Sequence, residues 1–597
     1  MAKLPNIIEK EKSFMSTVFW SLGFAFRTNK KIFILAFSVT IVSAVVSFLN
    51  IISFSQIVNL LATGVTDFHK IVPYLIILFV VEFVPPVLVN IRGYLTNSLT
   101  RRTREHLDEK LSKKTTSLDI GTIEQPEFQD LLSKARRGAG SAISLIEFSF
   151  NILRDLTNFI FAAIIIIHTF ALGFVIIFLT LVPTYLFERN VSKAVFELWE
   201  KQITSQRSLT AKTEIFRSKI SLIEIKIANI SNYFLSKIRV LQDKNTDDID
   251  EFQLKRIPKF AFISLISNIG VIVVAAWIIF QVFTGYRLIG SLVLVWGAIS
   301  RFSSAAESLF RSFGRIVEHH AHTLKLYSVF EMQSYISENE NGLIYDAGCP
   351  KIEFKNVSFI YPGTEKKVLE NLSFIISPKQ EIAVVGLNGA GKTTLFRLLT
   401  RVYDPTEGEI LINNIPLSEY NLPSWYRSIS LMSQDYSIFQ EETIKENILF
   451  NKIENSADLT SVIEEAGVSE YTSGFEKKLD QPIGRDFRGG VELSKGQTQK
   501  LAIARTLYPQ TPVIILDEPT SAIDALSEDR TFKALRQNHK DQTRIIISHK
   551  FSNVRDADKI ILIEHGTIIE QGSHDQLMKK KKGKYKELFE LQAEGYK

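Results

Sequence analysis

The stretch Gly386-Leu-Asn-Gly-Ala-Gly391-Lys392-Thr393-Thr394 decides the fold of the C-terminal half of this 597-residue chain. The apolar run Ile382-Ala-Val-Val385 precedes it, and a helical pattern continues from Thr393. A buried strand, a glycine-rich turn and a helix in this order are typical of a phosphate-binding loop, because glycines let backbone N–H groups face the anion. The sequence therefore predicts an α/β nucleotide-binding domain, with Lys392 on the β- and γ-phosphates and the Thr393 hydroxyl on Mg²⁺.

Two further apolar strands end in polar residues that suit nucleotide hydrolysis. Asp517 and Glu518 follow Val513-Ile-Ile-Leu516, and His549 comes shortly after Ile545-Ile-Ile547. The first carboxylate can hold the Mg²⁺ shell, and the second can polarise the attacking water as general base. His549 is either an ordinary histidine at a strand end or a hydrogen-bond partner of the γ-phosphate, and the surrounding motifs favour the second interpretation.

The composition changes along the chain. Long apolar runs occupy residues 1–330, whereas residues 350–597 have the mixed composition of a soluble α/β domain. A chain of this length exceeds what one hydrophobic core supports, so two or more domains are expected. We predict a tail with an interfacial helix over 1–30, an α-helical membrane domain over 31–330, a linker over 331–350 and the nucleotide-binding domain over 351–597.

Charge and cysteine content narrow the class of protein. The net charge of +6 does not support a general nucleic-acid-binding surface. A single cysteine, Cys349, excludes an intrachain disulfide framework. Residues 14–26 are apolar but lack a small-residue cleavage site, which favours an amphipathic helix at the inner membrane surface over a signal peptide.

Six apolar stretches are long enough to cross a bilayer, which takes roughly 20 residues each. They lie near 32–60, 71–94, 142–167, 172–195, 259–283 and 289–312. The longer connections carry most of the Lys and Arg, which puts those connections and both termini in the cytoplasm. These connections, 95–141 and 196–258, also have apolar residues at helical spacing, so we expect helices that continue into the cytoplasm; inert spacers are the alternative.

Several ionisable residues fall inside the predicted spans, among them Glu82, Asp155 and Arg301. A charge at mid-membrane costs roughly 2.5–3.5 kcal/mol, so each should face a partner or a wet cavity. Two compatible interpretations stay open. One is a salt bridge for packing, such as Asp155 with Arg301, and the other is a substrate cavity lined by the sixth span.

The segment Leu493-Ser-Lys-Gly-Gln497 completes a set of motifs that resembles the ATP-binding cassette (ABC) transporter family. The resemblance covers essentially the whole chain and is to the exporter type, in which membrane and nucleotide-binding domains are fused. It implies a dimer that holds ATP between the glycine loop of one chain and the 493–497 segment of the other. A homodimer is favoured because every catalytic position is filled, and a heterodimer with a related subunit stays open.

The resemblance also implies roles for individual residues. Lys495 stands where the family has glycine, and residues 484–490 depart from the commonest exporter pattern. Coupling helices are implied at Gln125–Ala135 and near 207–218. The ATP and Mg²⁺ residues that match the family motifs are Tyr361 for adenine, Gly386, Asn388, Gly389, Gly391, Lys392, Thr393 and Thr394 for phosphate, Gln434 and Asp517 near Mg²⁺, Glu518 and His549 for catalysis, and Ser494, Gly496, Gln497 and Asp524 from the facing chain.

The function implied is ATP-driven export of a solute across the cytoplasmic membrane by alternating access. The intramembrane charges favour a peptide or another polar or amphipathic solute. A flippase for a lipid or lipid-linked molecule is the alternative, and an ATP-gated channel or regulator is another. The predicted spans count against a soluble cassette ATPase.

Overall fold

The computed structural model describes residues 14–64, 67–334, 336, 341–450 and 452–594. Its described residues group into two compact units. The described residues of the helical unit lie within 14–116 and 126–332, and those of the nucleotide-binding unit lie within 117–125 and 333–594. The short segment 117–125 therefore belongs to the nucleotide-binding unit, although its neighbours in sequence on both sides belong to the other.

Long helices make up the helical unit, as its apolar sequence predicts. Asn29 precedes the second helix and caps it, because its side chain accepts a hydrogen bond from the Ile32 N–H at 3.0 Å. Pro126 begins the fifth helix, at the position where a proline lacks only an N–H that would have no partner. The helices of the first 331 residues are α1 (Phe14–Thr28), α2 (Lys30–Ala62), α3 (Val72–Thr116), α4 (Ile120–Ile123), α5 (Pro126–Glu214), α6 (Lys219–Ala228), α7 (Ser231–Phe283) and α8 (Gly290–Glu331), of which α4 lies in the nucleotide-binding unit.

Four helical stretches among the described residues are long and apolar enough to cross a membrane: Lys30–Ala62, Phe68–Thr116, Pro126–Val195 and Ser231–Phe283. The six predicted spans lie on α2, α3, α5, α7 and α8. The third and fourth predicted spans lie together on α5, and Phe170 between them has non-helical backbone angles (φ −155°, ψ 87°). The sixth lies on α8, which is helical but less apolar because Arg301 and Glu307 interrupt it.

Close helix packing holds the helical unit together. Phe159 of α5 stacks on Phe302 of α8 with ring centroids 4.4 Å apart, and Phe302 is fully buried. Farther along the same helix pair, a Cβ atom at Gly138 would lie 2.4 Å from the carbonyl oxygen of His322. Only glycine lets the two backbones approach this closely, as small residues do in membrane helix pairs.

Two sheets form the nucleotide-binding unit. The antiparallel sheet has the order β2 (Lys367–Ile376), β1 (Ile352–Ile360), β4 (Glu407–Ile412), β5 (Ile415–Pro416). The alternating apolar pattern of β1 does not make it an edge strand, since β1 pairs with β2 on one side and with β4 on the other. Alternation along a strand reports that one face of the sheet is buried, and an interior antiparallel strand shows the same pattern.

The second sheet positions the site. Its order is β10 (Thr567–Gly572), β9 (Lys559–Glu564), β3 (Glu381–Val385), β8 (Thr543–Ile547), β7 (Val513–Asp517), β6 (Ile429–Met432), and all neighbours except β10 and β9 run parallel. Strands β3, β7 and β8 are wholly buried, which explains their apolar runs. Because parallel strands end at the same edge, the segments that follow these three strands meet there.

The helices of this unit surround the two sheets. In chain order they are α9 (Lys392–Leu399), α10 (Leu422–Tyr426), α11 (Ile444–Leu449), α12 (Ser456–Glu465), α13 (Ser469–Thr472), α14 (Lys495–Leu507), α15 (Ala525–Asn538), α16 (Phe551–Val554), α17 (His574–Met578) and α18 (Lys584–Glu594).

Candidate nucleotide-binding site

The glycine loop between β3 and α9 has a backbone that only glycine can adopt. Gly386 has φ +155°, and a Cβ atom there would lie 2.2 Å from the Ile563 carbonyl oxygen. The buried Lys392 donates hydrogen bonds from Nζ to the carbonyl oxygens of Gly386 (2.8 Å) and Leu387 (3.0 Å). Burial lowers the pKa of Lys392, and the nearby negative charges of Glu518 and Asp517 oppose this shift. The ammonium is thus held over the loop, where phosphate oxygens would be better partners than neutral carbonyls.

The predicted Mg²⁺ residues are adjacent. The Thr393 hydroxyl donates to Asp517 Oδ2 at 3.2 Å, and Asp517 is buried at the end of β7. Burial raises the pKa of Asp517 to about 6, although the hydrogen bond from Thr393 opposes the shift. A hydroxyl and a buried carboxylate are the oxygen donors that Mg²⁺ prefers, and the cation would compensate the buried charge, so these residues fit the ion.

Two predicted site residues, Gln434 and His549, contact the carboxylate of Glu518. Gln434 donates from Nε2 to Glu518 Oε2 at 3.4 Å, and His549 Nδ1 lies 3.2 Å from Glu518 Oε1. The backbone of Glu518 is in the left-handed region (φ +49°), and its N–H donates to the Ile547 carbonyl at 2.9 Å. Strained backbone of this kind persists where surrounding structure imposes it, commonly at functional sites.

These residues line a single cavity of about 810 Å³. Its lining includes the predicted residues Gly386, Asn388, Gly389, Gly391, Lys392, Thr393, Thr394, Gln434, Glu518 and His549. It also includes residues that the sequence analysis missed: Val368, Leu387, Phe551, Leu588, Leu591 and Gln592. Phe551 could have been found from its position two residues after His549, whereas no local signal marks the three residues of α18.

Tyr361 lies beside the glycine loop. Its hydroxyl is 2.9 Å from the Thr394 hydroxyl, and its ring packs edge-on against Phe359 and Tyr403. In the described part of the chain Tyr361 is not among the residues that line the cavity. Its role on adenine stays a prediction.

The 493–497 segment lies elsewhere in the same chain. Ser494 caps α14: its hydroxyl accepts from the Gln497 N–H at 3.3 Å, and Gln497 Oε1 accepts from the Ser494 N–H at 2.8 Å. Asp524 likewise caps α15 by accepting from the Ser527 N–H at 3.0 Å. Among the residues described, neither these three nor Gly496 line the cavity that holds Lys392. The structure therefore does not bring them to the glycine loop of their own chain.

Gln499 links the 493–497 segment to the catalytic strand and was also missed. This buried side chain donates from Nε2 to the Glu518 carbonyl at 3.1 Å and accepts from the Ala522 N–H at 2.7 Å. The sequence feature that could have identified Gln499 is its polar side chain on the otherwise apolar face of the helix that begins in the 493–497 segment. The hydrogen bonds of Gln499 therefore fix α14 to the backbone segment that follows β7.

Residues 119–124 contact the helix that follows the glycine loop. Glu124 Oε2 accepts from the Tyr403 hydroxyl at 2.6 Å and from Arg397 of α9 at 3.0 Å. The first coupling helix, implied at Gln125–Ala135, stays a prediction, and all but Gln125 of that range lies on α5 rather than on this segment. Helix α5 begins at Pro126 and belongs to the helical unit. Residues 207–218 contain the end of α5 and the turn before α6.

The predicted substrate-cavity residues lie on different helix pairs. Asp155 forms an ion pair with Arg154 at 2.7 Å and accepts a hydrogen bond from Ser308 of α8. Arg301 lies over the Phe48 ring, 5.2 Å from its centroid, and Glu82 accepts from Asn50 Nδ2 at 2.9 Å. Among the described residues Asp155 and Arg301 form no ion pair, so the suggested packing salt bridge is replaced by the pair with Arg154.

Comparison with known proteins places this geometry in a family. The family model described as "ABC transporter" matches residues 369–521. The chain is 26% identical over 568 residues to the subtilin transport ATP-binding protein SpaT of Bacillus subtilis, covering 93% of this chain and 91% of that protein. It is 38% identical over 229 residues to the ATP-dependent lipid A-core flippase of Burkholderia orbicola, covering 38% of each.

A solved structure shares the complete fold. The structure of a bacterial Atm1-family ABC exporter with ATP bound matches with a TM-score of 0.83 at 22% sequence identity, over 94% of this chain and 98% of that chain. Residues 369–521 therefore match the ABC transporter family, and the chain as a whole has the exporter fold and resembles ATP-dependent transport proteins along its length. The predicted fold class, an α-helical membrane domain fused to an α/β nucleotide-binding domain, is confirmed.

Proposed function

We propose that this chain is one half of an ATP-driven exporter in the cytoplasmic membrane, and that two copies form the working transporter. The observation that carries the proposal is the division of the ATP site. The loop, Glu518, Gln434 and His549 line the cavity, and Asp517 contacts the loop residue Thr393, while Ser494 and its neighbours are not among the described lining residues. A second copy is what would supply the missing side, with the nucleotide-binding domains facing the cytoplasm.

The polar residues around the glycine loop have chemical tasks in the proposed cycle. Glu518 accepts a proton from the attacking water, and Gln434 and His549 hold its carboxylate in place. Lys392 neutralises charge on the transferred phosphoryl group. A Mg²⁺ ion held by Thr393 and Asp517 would supply further electrostatic stabilisation of that group.

The proposed coupling of hydrolysis to transport runs through α9. This helix begins at the glycine loop with Lys392, and its Arg397 holds Glu124 near its far end. A change in loop position on ATP binding or release would therefore move residues 119–124. Binding energy that favours the closed pair of nucleotide-binding domains shifts the two-state equilibrium that alternating access requires.

A peptide or another polar, amphipathic solute is the first candidate substrate. Charged groups at Asp155 and Arg301 within helices predicted to span the membrane support it, because each can pair with a zwitterionic solute. The likeness to SpaT, a protein named for subtilin transport, extends over both halves of the chain.

A lipid-like anion is the second candidate, favoured by a groove of about 470 Å³ in the helical unit. Its residues are Tyr185, Arg189, Lys193 and Glu197 of α5, with Phe310, Phe313, Gly314 and Val317 of α8. The four α5 residues are spaced four apart and so share one face of the helix. Neither Arg189 nor Lys193 has an acidic partner among the described residues, so a headgroup anion would find two free cations beside three aromatic rings.

Transport in sealed proteoliposomes tests the proposal. Full-length protein with ATP outside should accumulate its substrate against a gradient, with labelled cationic and zwitterionic peptides tested in parallel with a labelled anionic phospholipid. Equilibration without uphill accumulation would instead indicate an ATP-gated channel. If the anionic lipid is the substrate, Arg189→Gln with Lys193→Gln should lower its transport about tenfold. The matched control, Arg239→Gln with Lys244→Gln on the exposed face of α7, should leave transport unchanged.

A further inference from the structure

The C-terminal helix α18 reaches the catalytic cavity through one polar side chain. Leu588, Leu591 and Gln592 of α18 line the same cavity as Glu518 and His549. None of the chemistry described above uses this helix. Gln592 lies more than 40 residues beyond His549 in the chain, so its presence at the site is a property of the fold alone.

The Gln592 amide forms two hydrogen bonds to the backbone that carries His549. Gln592 Oε1 accepts from the Phe551 N–H at 2.6 Å, and Gln592 Nε2 donates to the His549 carbonyl at 3.1 Å. One bond is to the connection between β8 and α16, and the other is to the first residue of α16. Because the Gln592 amide both accepts from and donates to this backbone, it restrains the connection in the way that the backbone of a neighbouring strand would.

The first of these bonds satisfies a group that its own helix cannot. Phe551 is the first residue of α16, and an N–H at this position has no acceptor within the helix. Lys550 precedes it and, in the described structure, gives α16 no side-chain cap. Gln592 therefore provides a cap from a distant part of the chain.

Packing fixes the position of α18. Tyr585 is fully buried, and its ring packs edge-on against Phe551 with centroids 5.3 Å apart. The Tyr585 N–H donates to Glu570 Oε2 at 3.0 Å, and its hydroxyl lies 2.9 Å from His574 Nδ1. Because α18 is anchored on both sides, Gln592 can hold a defined position against the His549 segment.

We infer that Gln592 is a positioning residue for ATP hydrolysis. By holding the backbone of His549 it keeps the imidazole against Glu518, at 3.2 Å, and aligned with the position that the γ-phosphate occupies. Small displacements of catalytic groups lower the rate of the chemical step much more than they weaken substrate binding.

ATP hydrolysis by the full-length protein in liposomes tests the inference. Gln592→Ala should lower kcat on the order of tenfold, with the KM for ATP changed less than about twofold. Gln592→Glu, which keeps the acceptor for Phe551 and loses the donor to His549, should fall in between. Glu590→Ala on the exposed face of the same helix is the matched control and should hydrolyse ATP normally.

A second background separates positioning from general stability. If Gln592 acts through His549, its replacement by alanine should have no further effect on the residual single-turnover rate of His549→Ala. An unchanged kcat in Gln592→Ala would overturn the inference, and so would an equally large loss in the His549→Ala background. These assays read hydrolysis alone, so their outcome is independent of which solute the transporter carries.

Discussion

The glycine loop and the 493–497 segment are both predicted to contact ATP, yet their environments in one chain differ. The loop lines a cavity together with the buried Lys392 and with Glu518, Gln434 and His549. Ser494, in contrast, is exposed and uses its hydroxyl to cap α14. One half of the site is thus assembled within the chain, and the other half presents a capped helix N-terminus to solvent. The positive end of the α14 dipole is suited to an anion brought by another molecule.

The largest expected effect falls on the assembled half. Glu518→Gln should lower ATP hydrolysis by about 10²–10³-fold, since an amide cannot accept the proton of the attacking water. ATP binding should persist, because Lys392 and the loop are unchanged. Phosphate release and binding of a labelled ATP analogue measure the two separately. Near-normal hydrolysis in this variant would remove Glu518 from the catalytic role.

Substitutions of Ser494 in the exposed half of the site should separate its role as a helix cap from its predicted role as a phosphate contact. Ser494→Asp keeps a capping side chain and should preserve thermal stability, but its negative charge would repel phosphate from the facing chain and lower hydrolysis about tenfold. Ser494→Ala removes the cap and adds no charge. It should therefore lower the free energy of unfolding of the nucleotide-binding domain by about 1 kcal/mol and reduce hydrolysis less than Ser494→Asp does. Thermal unfolding and phosphate release on both variants provide the measurement. Equal hydrolysis by the wild type and Ser494→Asp would contradict a phosphate-facing role.

The contact between α9 and residues 119–124 links the assembled half to transport. Glu124→Ala removes the acceptor for Arg397 and Tyr403, so we expect a several-fold loss of substrate-stimulated ATPase activity. Basal hydrolysis should stay within about twofold, because the cavity residues are untouched. Glu127→Ala, an exposed residue in the first turn of α5, is the control. Loss of stimulation in both variants would argue against a specific coupling contact.

The smallest effect is expected at the departure from the family motif. Lys495 is exposed, and only its backbone carbonyl takes part in the described hydrogen bonds, with Tyr436 and Thr498. Lys495→Gly should therefore leave hydrolysis within about twofold of the wild type. A tenfold loss in steady-state phosphate release would mean that the facing site depends on the lysine charge.

Local pattern was enough to predict the assembled half of the site. The order of β3, glycine loop and α9, together with the carboxylates at the end of β7, follows from short-range rules, and the structure has each of these elements. Contacts made across long sequence distances were not predictable in this way. Gln592 and Gln499 reach the site through tertiary packing, and β1 shows the same alternation whether it lies inside a sheet or at its edge.

In the helical unit the positions of the spans could be predicted, whereas the partners of individual side chains could not. The predicted sixth span lies on α8, which packs with the apolar helices although its charged residues lower its mean hydropathy. The partners of Asp155 also depend on which residues the neighbouring helices bring near it. Arg154 lies next to it in sequence and takes the place proposed for Arg301.

Disulfide trapping between two chains tests the central claim most directly. In a Cys349→Ala background with Glu518→Gln, one tagged chain carries Leu387→Cys and a differently tagged chain carries Ser494→Cys; both positions are exposed. With ATP and Mg²⁺, mild oxidation should give a covalent species that contains both tags, and omission of ATP should strongly reduce it. Absence of that species with ATP present would contradict a site completed by a second copy.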